Sequence, residues 1–227
     1  MNDLIRLVGN AKAGLRFEHD LFVAEGPRVG QWTASNQGIV CPRAYRLKDG
    51  FEELSEHCAS IGWPVHLRPT GGGAVPQGPG ISNLALAFNA REGVTIEDVY
   101  KLLTGILKDA LGSPGKRLEH GETPGSFCDG AWNLSFDGQK LVGTAQRWRP
   151  RRGKRPRVLA HAMILVSDDF QSGTDAVAEF HKELGLSPVR HNVHISLNTA
   201  FGVTELPSAA LQKIALTALS GLHVEYQ

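Results

Sequence analysis

The sequence predicts a mixed α/β domain of the α+β kind, with largely antiparallel sheets and flanking helices. Three observations carry this. The apolar residues Ile96, Val99, Leu102, Leu103, Ile106, Leu107 and Ala110 form one stripe at helical spacing. The run Phe136-Asp137-Gly138-Gln139-Lys140 places Asp-Gly between two strand-like segments, a strong hairpin signal. The segments follow one another as helix, strands, helix, hairpins, helix, helix. A doubly wound nucleotide fold would alternate strand and helix throughout.

Taken in order, residues 28–41 read as a short strand or two around Trp32 and Val40. Residues 50–61 read as a helix, because Phe51, Leu54, Cys58 and Ile61 share one face; Gly62 ends it. Residues 63–68 and 83–88 read as strands on either side of a glycine-rich connection. The stripe from Ile96 starts at the cap residue Thr95 and closes at Gly112 and Pro114. Strands follow at Ala131–Phe136, Lys140–Gln146 and Val158–Val166, the last two joined by a basic loop. Thr174–Leu184 reads as a short helix ended by Gly185, and residues 207–220 as a last helix opened by Pro207.

A chain of 227 residues with 41% hydrophobic and 21% charged residues is globular and can bury a sizeable core. No apolar run approaches the length of a membrane span, and the opening Met1–Val8 stretch lacks the form of a secretory leader. Cys41, Cys58 and Cys128 are an odd, sparse set without metal-ligand spacing, which fits a reducing cytoplasm and argues against a disulfide framework. The net charge of +1 hides an asymmetry: Arg147–Arg157 holds seven basic residues and no acidic one. Removing those seven from 24 leaves 17 basic against 23 acidic residues elsewhere, or −6.

Three residue groups have the composition of a site. Gly71, Gly72 and Gly73 stand between two strands, preceded by Arg68 and Thr70 and followed by Ala74 and Asn83. They match no phosphate-loop pattern and no helix follows at once, so glycine count alone says only strand-to-strand turn. In this context a wall without side chains would admit a long thin ligand, and its N–H groups would receive an oxyanion. Cys128 sits in Pro124-Gly125-Ser126-Phe127-Cys128-Asp129-Gly130, where backbone donors can reach a thiolate; Cys41 and Cys58 read as small buried hydrophobes. Lys140 follows one strand and one tight turn, so a hairpin returns it toward Cys128, although an exposed hairpin lysine is the commoner fate. His161 interrupts the apolar strand Leu159–Leu165, and taken alone it reads as a core histidine bonded to a carbonyl.

Four segments then fall into one register: Arg68-Pro-Thr-Gly-Gly-Gly-Ala-Val75, Gly80-Ile-Ser-Asn83-Leu, Gly138-Gln-Lys140-Leu-Val-Gly143-Thr-Ala-Gln-Arg147, and Leu159-Ala-His161-Ala-Met-Ile-Leu165. In that order they resemble the lipoate–protein ligase and octanoyltransferase family. The resemblance implies the catalytic-domain fold shared with biotin protein ligases, here as one domain over residues 1–227 with no C-terminal accessory domain. It implies transfer of an octanoyl or lipoyl group onto one lysine of a lipoyl domain or a glycine-cleavage H protein. By position it places Arg68, Thr70, Gly71, Gly72, Gly73, Ala74, Asn83, Gly143, Thr144, Ala145 and His161 along the acyl tunnel, with Lys140 at the acyl carbonyl. Cys128 is similar in place and setting to the cysteine of the family's Cys-dependent octanoyl transferases and amidotransferases, its catalytic partner here being Lys140.

That branch needs no cofactor, whereas an ATP-dependent ligase, the alternative, would need ATP and magnesium, with a separate accessory chain as a further option. Departures from the family pattern at Pro42, Tyr45 and Ala162 motivate a third reading, a non-catalytic acyl- or nucleotide-binding relative. In the transferase reading an acyl carrier protein or H protein is the donor and a lipoyl domain the acceptor. The basic stretch Arg147–Arg157 would dock these acidic proteins; nucleic acid ranks below them, because the rest of the chain is net acidic.

Overall fold

A computed structural model describes residues 5–222; Met1–Leu4, part of the stretch on which the leader reading rests, and residues 223–227 lie outside it. The chain runs β1 (Ile5–Gly9), α1 (Ala11–Val23), β2 (Arg28–Ala34), β3 (Gly38–Pro42), α2 (Phe51–Ser60), β4 (Val65–Arg68), β5 (Val75–Gln77) and β6 (Ile81–Asn89). Then come α3 (Ile96–Leu111), α4 (Ser113–Lys116), β7 (Glu119–His120), β8 (Leu134–Phe136), β9 (Gln139–Arg151), β10 (Lys154–Leu165), α5 (Gln171–Glu183), α6 (Leu197–Phe201) and α7 (Ser208–Leu222). Seven strands form one sheet in the order β1-β2-β6-β10-β9-β8-β7, and three form a smaller one, β4-β3-β5. Only β1–β2 and β3–β4 pair in parallel. The mixed, largely antiparallel architecture that the sequence predicts is the one observed.

Local chemistry explains the elements that were legible. Thr95 and Asp98 form a capping box at the start of α3: the Asp98 N–H donates to the Thr95 hydroxyl at 3.1 Å and the Thr95 N–H to the Asp98 carboxylate at 2.9 Å. Asp137 and Gly138 both adopt positive φ, +49° and +73°, as a two-residue turn matched to strand twist requires. Leu84, Leu86 and Phe88 of β6 point into one core with Val99, Leu103 and Leu107 of α3 and Leu211 of α7. A second core lies between α2, α5, the small sheet and the loop around Phe127.

Six elements go beyond the sequence reading: β1, α1, β5, α4, β7 and α6. β1 and α1 were not anticipated, although Asn10 caps α1 and accepts the Ala13 N–H at 2.8 Å. Helix α1 lies close against the large sheet because Gly14 and Gly30 leave room. A Cβ on Gly14 would stand 2.2 Å from the Trp32 ring, and one on Gly30 2.6 Å from Leu21. This close approach carries Glu18 of α1 onto the sheet.

The basic stretch is a correction. It is no loop: β9 and β10 continue their ladder to Arg151 and Lys154, and only Arg152 and Gly153 turn. Arg157 is 1% exposed. Its guanidinium donates to the carbonyls of Leu21, Phe22 and Gly26 at the C-terminus of α1, where a cation also meets the negative end of the helix dipole. Arg151 is held by Asn89 and Glu25, and Arg155 by Glu92. Arg147, Arg149, Arg151 and Arg157 share one face of the sheet, with Arg149 and Arg157 directly paired, so the position of α1 against that face decides which of them are buried.

Candidate active site

The register of the large sheet builds a floor. Trp32, Asn83, Met163 and Gly143 are successive partners across β2, β6, β10 and β9. Gly30, Ala85, His161 and Ala145 form the next parallel row on the same face. Above this floor is a cavity lined mostly by Trp32, Val75, Met163, Gly143, Ala145 and His161, with Arg68 and Cys128 on its wall.

Cys128 lies in a tight turn after Phe127, with φ of +49°, a region that residues other than glycine enter rarely and that is a common form of strain at functional sites. Asp129 closes the turn, its carboxylate accepting the Thr123 N–H at 2.7 Å and the Gly130 N–H at 2.8 Å. The sulfur accepts the backbone N–H of Gly73 at 3.2 Å and faces the Arg68 guanidinium at 3.7 Å. Arg68 is buried and also donates to the carbonyls of Val40, Gly71 and Gly73. The glycine triplet is thus explained by close approach. A Cβ on Gly72 would stand 2.6 Å from the sulfur, and one on Gly73 3.2 Å from the Cys128 Cα. Gly72 and Gly73 pack against Cys128, whereas the sequence reading placed the whole triplet along the tunnel; Arg68 and Val75, which flank it, face the cavity.

Lys140 comes back to the same turn, as the hairpin reading anticipates, but it is fully buried instead of exposed. Its ammonium donates to the carbonyls of Phe127 and Cys128, the latter at 2.6 Å. Burial lowers its pKa to about 8, while Cys128 and Asp129 act in the opposite direction. A Cβ on Gly143, which lines the cavity, would stand 3.5 Å from Nζ, so the buried ammonium lies directly behind that bare stretch of cavity wall. By contrast, burial pushes the Cys41 thiol up to about 12 and raises that of Cys58, in keeping with their reading as small hydrophobes.

The remaining anticipated residues divide. Asn83 lies in the floor, and its side-chain amide exchanges two hydrogen bonds with that of Gln77, at 2.9 and 3.0 Å. Thr144 donates its hydroxyl to the Trp132 carbonyl at 3.0 Å and Ala145 lines the cavity. Ala74 is in the second core. Thr70 is buried with an unpartnered hydroxyl and lines a neighbouring groove with Arg43 and Arg147. His161 is bonded to a carboxylate, not to a carbonyl. Glu18 faces His161 Nδ1 at 2.9 Å and accepts the Trp32 indole N–H at 2.8 Å. His161 Nε2 is buried without a partner.

Sequence reasoning missed Glu18 and His194. Glu18 had a local signal, a carboxylate on the apolar face of Ala11, Gly14, Leu21 and Phe22. His194 had none, since it reaches Phe127 from 67 residues away. Among the described residues no helix is long and apolar enough to cross a membrane.

Comparison with known proteins agrees with this geometry. The sequence model of the lipoyl protein ligase A/B catalytic domain matches residues 48–217. An uncharacterized protein of Cupriavidus necator is 40% identical over 157 residues, 63% of this chain and 62% of that protein. An octanoyl-GcvH:protein N-octanoyltransferase of Kyrpidia tusciae is 36% identical over 143 residues, 60% of this chain and 50% of that enzyme. The chain thus spans less than two thirds of the length of either. Among solved structures, lipoate-protein ligase A bound with ATP superposes with a TM-score of 0.67 at 15% identity, covering 96% of this chain and 83% of that one. The bi-partite lipoate protein ligase of Thermoplasma acidophilum, studied with its E2 lipoyl domain, gives 0.57 at 17% identity, covering 96% and 81%. Those two likenesses concern the fold alone. The family match extends over well more than half of the chain and includes the glycine triplet, Cys128, Lys140 and His161, and the chain therefore belongs to the lipoyl protein ligase A/B catalytic-domain family.

Proposed function

We propose that this chain is a Cys-dependent acyltransferase that moves an octanoyl or lipoyl group through a thioester at Cys128 onto a lysine of a lipoyl domain or H protein. One observation carries the reading. The Cys128 sulfur opens on an apolar cavity while sharing its turn with the Gly73 N–H, the Arg68 guanidinium and the Lys140 ammonium. N–H groups and nearby cations favour a thiolate, the nucleophilic form of cysteine.

The steps balance without a cofactor. The thiolate attacks the carbonyl of a donor thioester or donor amide, and the new C–S bond replaces the donor's bond. The leaving sulfur or amine departs with a proton. The acceptor lysine, as a free amine, then attacks the Cys128 thioester, losing a proton as the amide forms and the Cys128 thiolate leaves. Lys140 has three N–H donors, two of which meet carbonyls of the turn, so one is free for the developing oxyanion. The name of the Kyrpidia tusciae relative supports an octanoyl group and an H protein as participants. ATP and magnesium would belong to the ligase alternative.

Docking of the acidic carrier falls to the cations that the fold leaves outward. Arg147 and Arg149 stand 4.9 and 4.8 Å over the Phe22 ring, with Arg43 beside Arg147. Among the described residues none of the three meets a carboxylate in an ion pair.

The test is intact-mass analysis after mixing the protein with octanoylated H protein or octanoyl-carrier protein, without ATP. An octanoyl adduct on the wild type that is absent from Cys128→Ser supports the reading. Transfer by Cys128→Ser at the wild-type rate, or transfer only when ATP and free acid are supplied, overturns it.

A further inference from the structure

His194 lies outside every motif described above, in the segment between α5 and α6, yet it contacts the nucleophile's turn directly. Its Nε2 accepts the backbone N–H of Phe127, the residue before Cys128, at 3.1 Å. Its ring stacks on the Phe127 ring with centroids 3.9 Å apart and planes within 13°. The segment that carries it is sewn to Lys140 on the other side. The Lys140 N–H donates to the Val193 carbonyl at 2.8 Å, and the Ile195 N–H donates to the Lys140 carbonyl at 2.9 Å. Gln139 adds side-chain bonds to the carbonyls of Asn192 and His194, and the Arg190 N–H donates to Gly125 at the start of the turn. One strip of chain therefore touches both the turn that bears Cys128 and the strand that bears Lys140.

We propose that His194 is the positioning residue of this centre: as a neutral imidazole accepting at Nε2, it holds the Ser126–Phe127 peptide that leads into the left-handed Cys128, so that the sulfur stays on the Gly73 N–H and the two carbonyls stay on Lys140. The inference rests on the reading of Cys128 as nucleophile. A Cys128 φ of +49° is strained for a residue with a Cβ and persists only where the surroundings over-determine it. The surroundings here are Lys140 on two carbonyls, Asn133 on the Cys128 carbonyl, and His194 on the one N–H that none of these can reach. An acceptor at Nε2 puts the ring proton on Nδ1. Protonation of Nε2 would set two donors against each other. The site resists this, because His194 is 3% exposed and burial, then the Lys140 and His191 charges, lower its pKa to about 3.

Two substitutions separate the bond from the stack. His194→Phe keeps the ring on Phe127 and removes the acceptor; His194→Gln offers an amide oxygen near the Nε2 position. The readout is alkylation of Cys128 by iodoacetamide, followed by mass spectrometry in proteins checked for folding by thermal unfolding. It needs no acyl donor, so it is read even where transfer fails. The Phe variant is expected to react about tenfold slower and the Gln variant within about threefold of wild type. In the transfer assay the Phe variant loses kcat with KM for the donor little changed. A folded Phe variant alkylated at the wild-type rate, or a folded Gln variant as slow as Phe, overturns the proposal. So does an imidazole 15N spectrum of the wild type showing His194 protonated at Nε2, a measurement that needs no variant to fold.

Discussion

The backbone N–H of Gly73 points at the sulfur of Cys128 over 3.2 Å, across 55 residues of sequence. That contact is what the three consecutive glycines permit, and it makes the triplet divisible. Gly72 sits at φ +97° with the sulfur 2.6 Å from where a Cβ would be, and a Cβ on Gly73 would press on the Cys128 backbone from 3.2 and 3.3 Å. Gly71 has nothing within 4 Å.

Gly72→Ala and Gly73→Ala should therefore slow Cys128 alkylation by about tenfold or more, through displacement of the turn. Gly72→Ala should also cost about 1–2 kcal/mol in thermal unfolding from its left-handed backbone. Gly71→Ala should leave both measurements at wild-type values. Equal effects at all three positions would mean that the triplet acts only as a flexible hinge.

Lys140 gives a pH dependence with two opposite signs. Its pKa is lowered from 10.5 to about 8, so between those values the unfolded chain binds the proton that the folded chain has lost. Stability owed to this group therefore rises with pH across that window, and the destabilising effect of a buried ammonium is fully present below about 8. Transfer, which uses the ammonium, should fall as pH rises through the same value. Lys140→Met should abolish that alkaline limb, and with it most of the transfer, while leaving two turn carbonyls without their donor. Rate profiles and urea unfolding measured from pH 6.5 to 10 test both signs.

The arginines of the β9–β10 hairpin should divide by burial. Arg157→Met strips three carbonyls at the end of α1 of a charged donor, a loss of roughly 2–4 kcal/mol by urea unfolding. Arg43→Glu with Arg149→Glu should leave unfolding unchanged. It should slow transfer from an acidic carrier and flatten the salt dependence of the rate. Unchanged, salt-sensitive transfer in the double variant would place docking elsewhere.

Much of the site was legible because its signals are short-range. Asp137-Gly138 specifies a turn through the φ values it tolerates, and that turn returns Lys140 toward Cys128. Thr95 and Asp98 start α3 by satisfying each other's backbone. The glycine triplet announced a close approach but not its object, since the partner is contributed by a turn 55 residues on. The basic run was misread as a loop for a related reason: composition shows charge, whereas the packing of α1 against one face of the β9–β10 hairpin decides which cations are buried. Arg157 became a helix cap because α1 happens to end beneath it.

The sequence by itself determined the α+β class, helices α2, α3, α5 and α7, the strands that carry the site, the family resemblance and the residue types of the centre in their order along the chain. Periodicity, capping and turn chemistry act over a few residues and can be read there. The tertiary structure alone decided that Glu18, Trp32 and His161 meet, that the Gly73 N–H and the Arg68 guanidinium both face the sulfur, and that His194 meets the Phe127 N–H. Those contacts depend on sheet register and on packing between segments far apart in the chain, where a shift of one residue would turn each side chain to the opposite face.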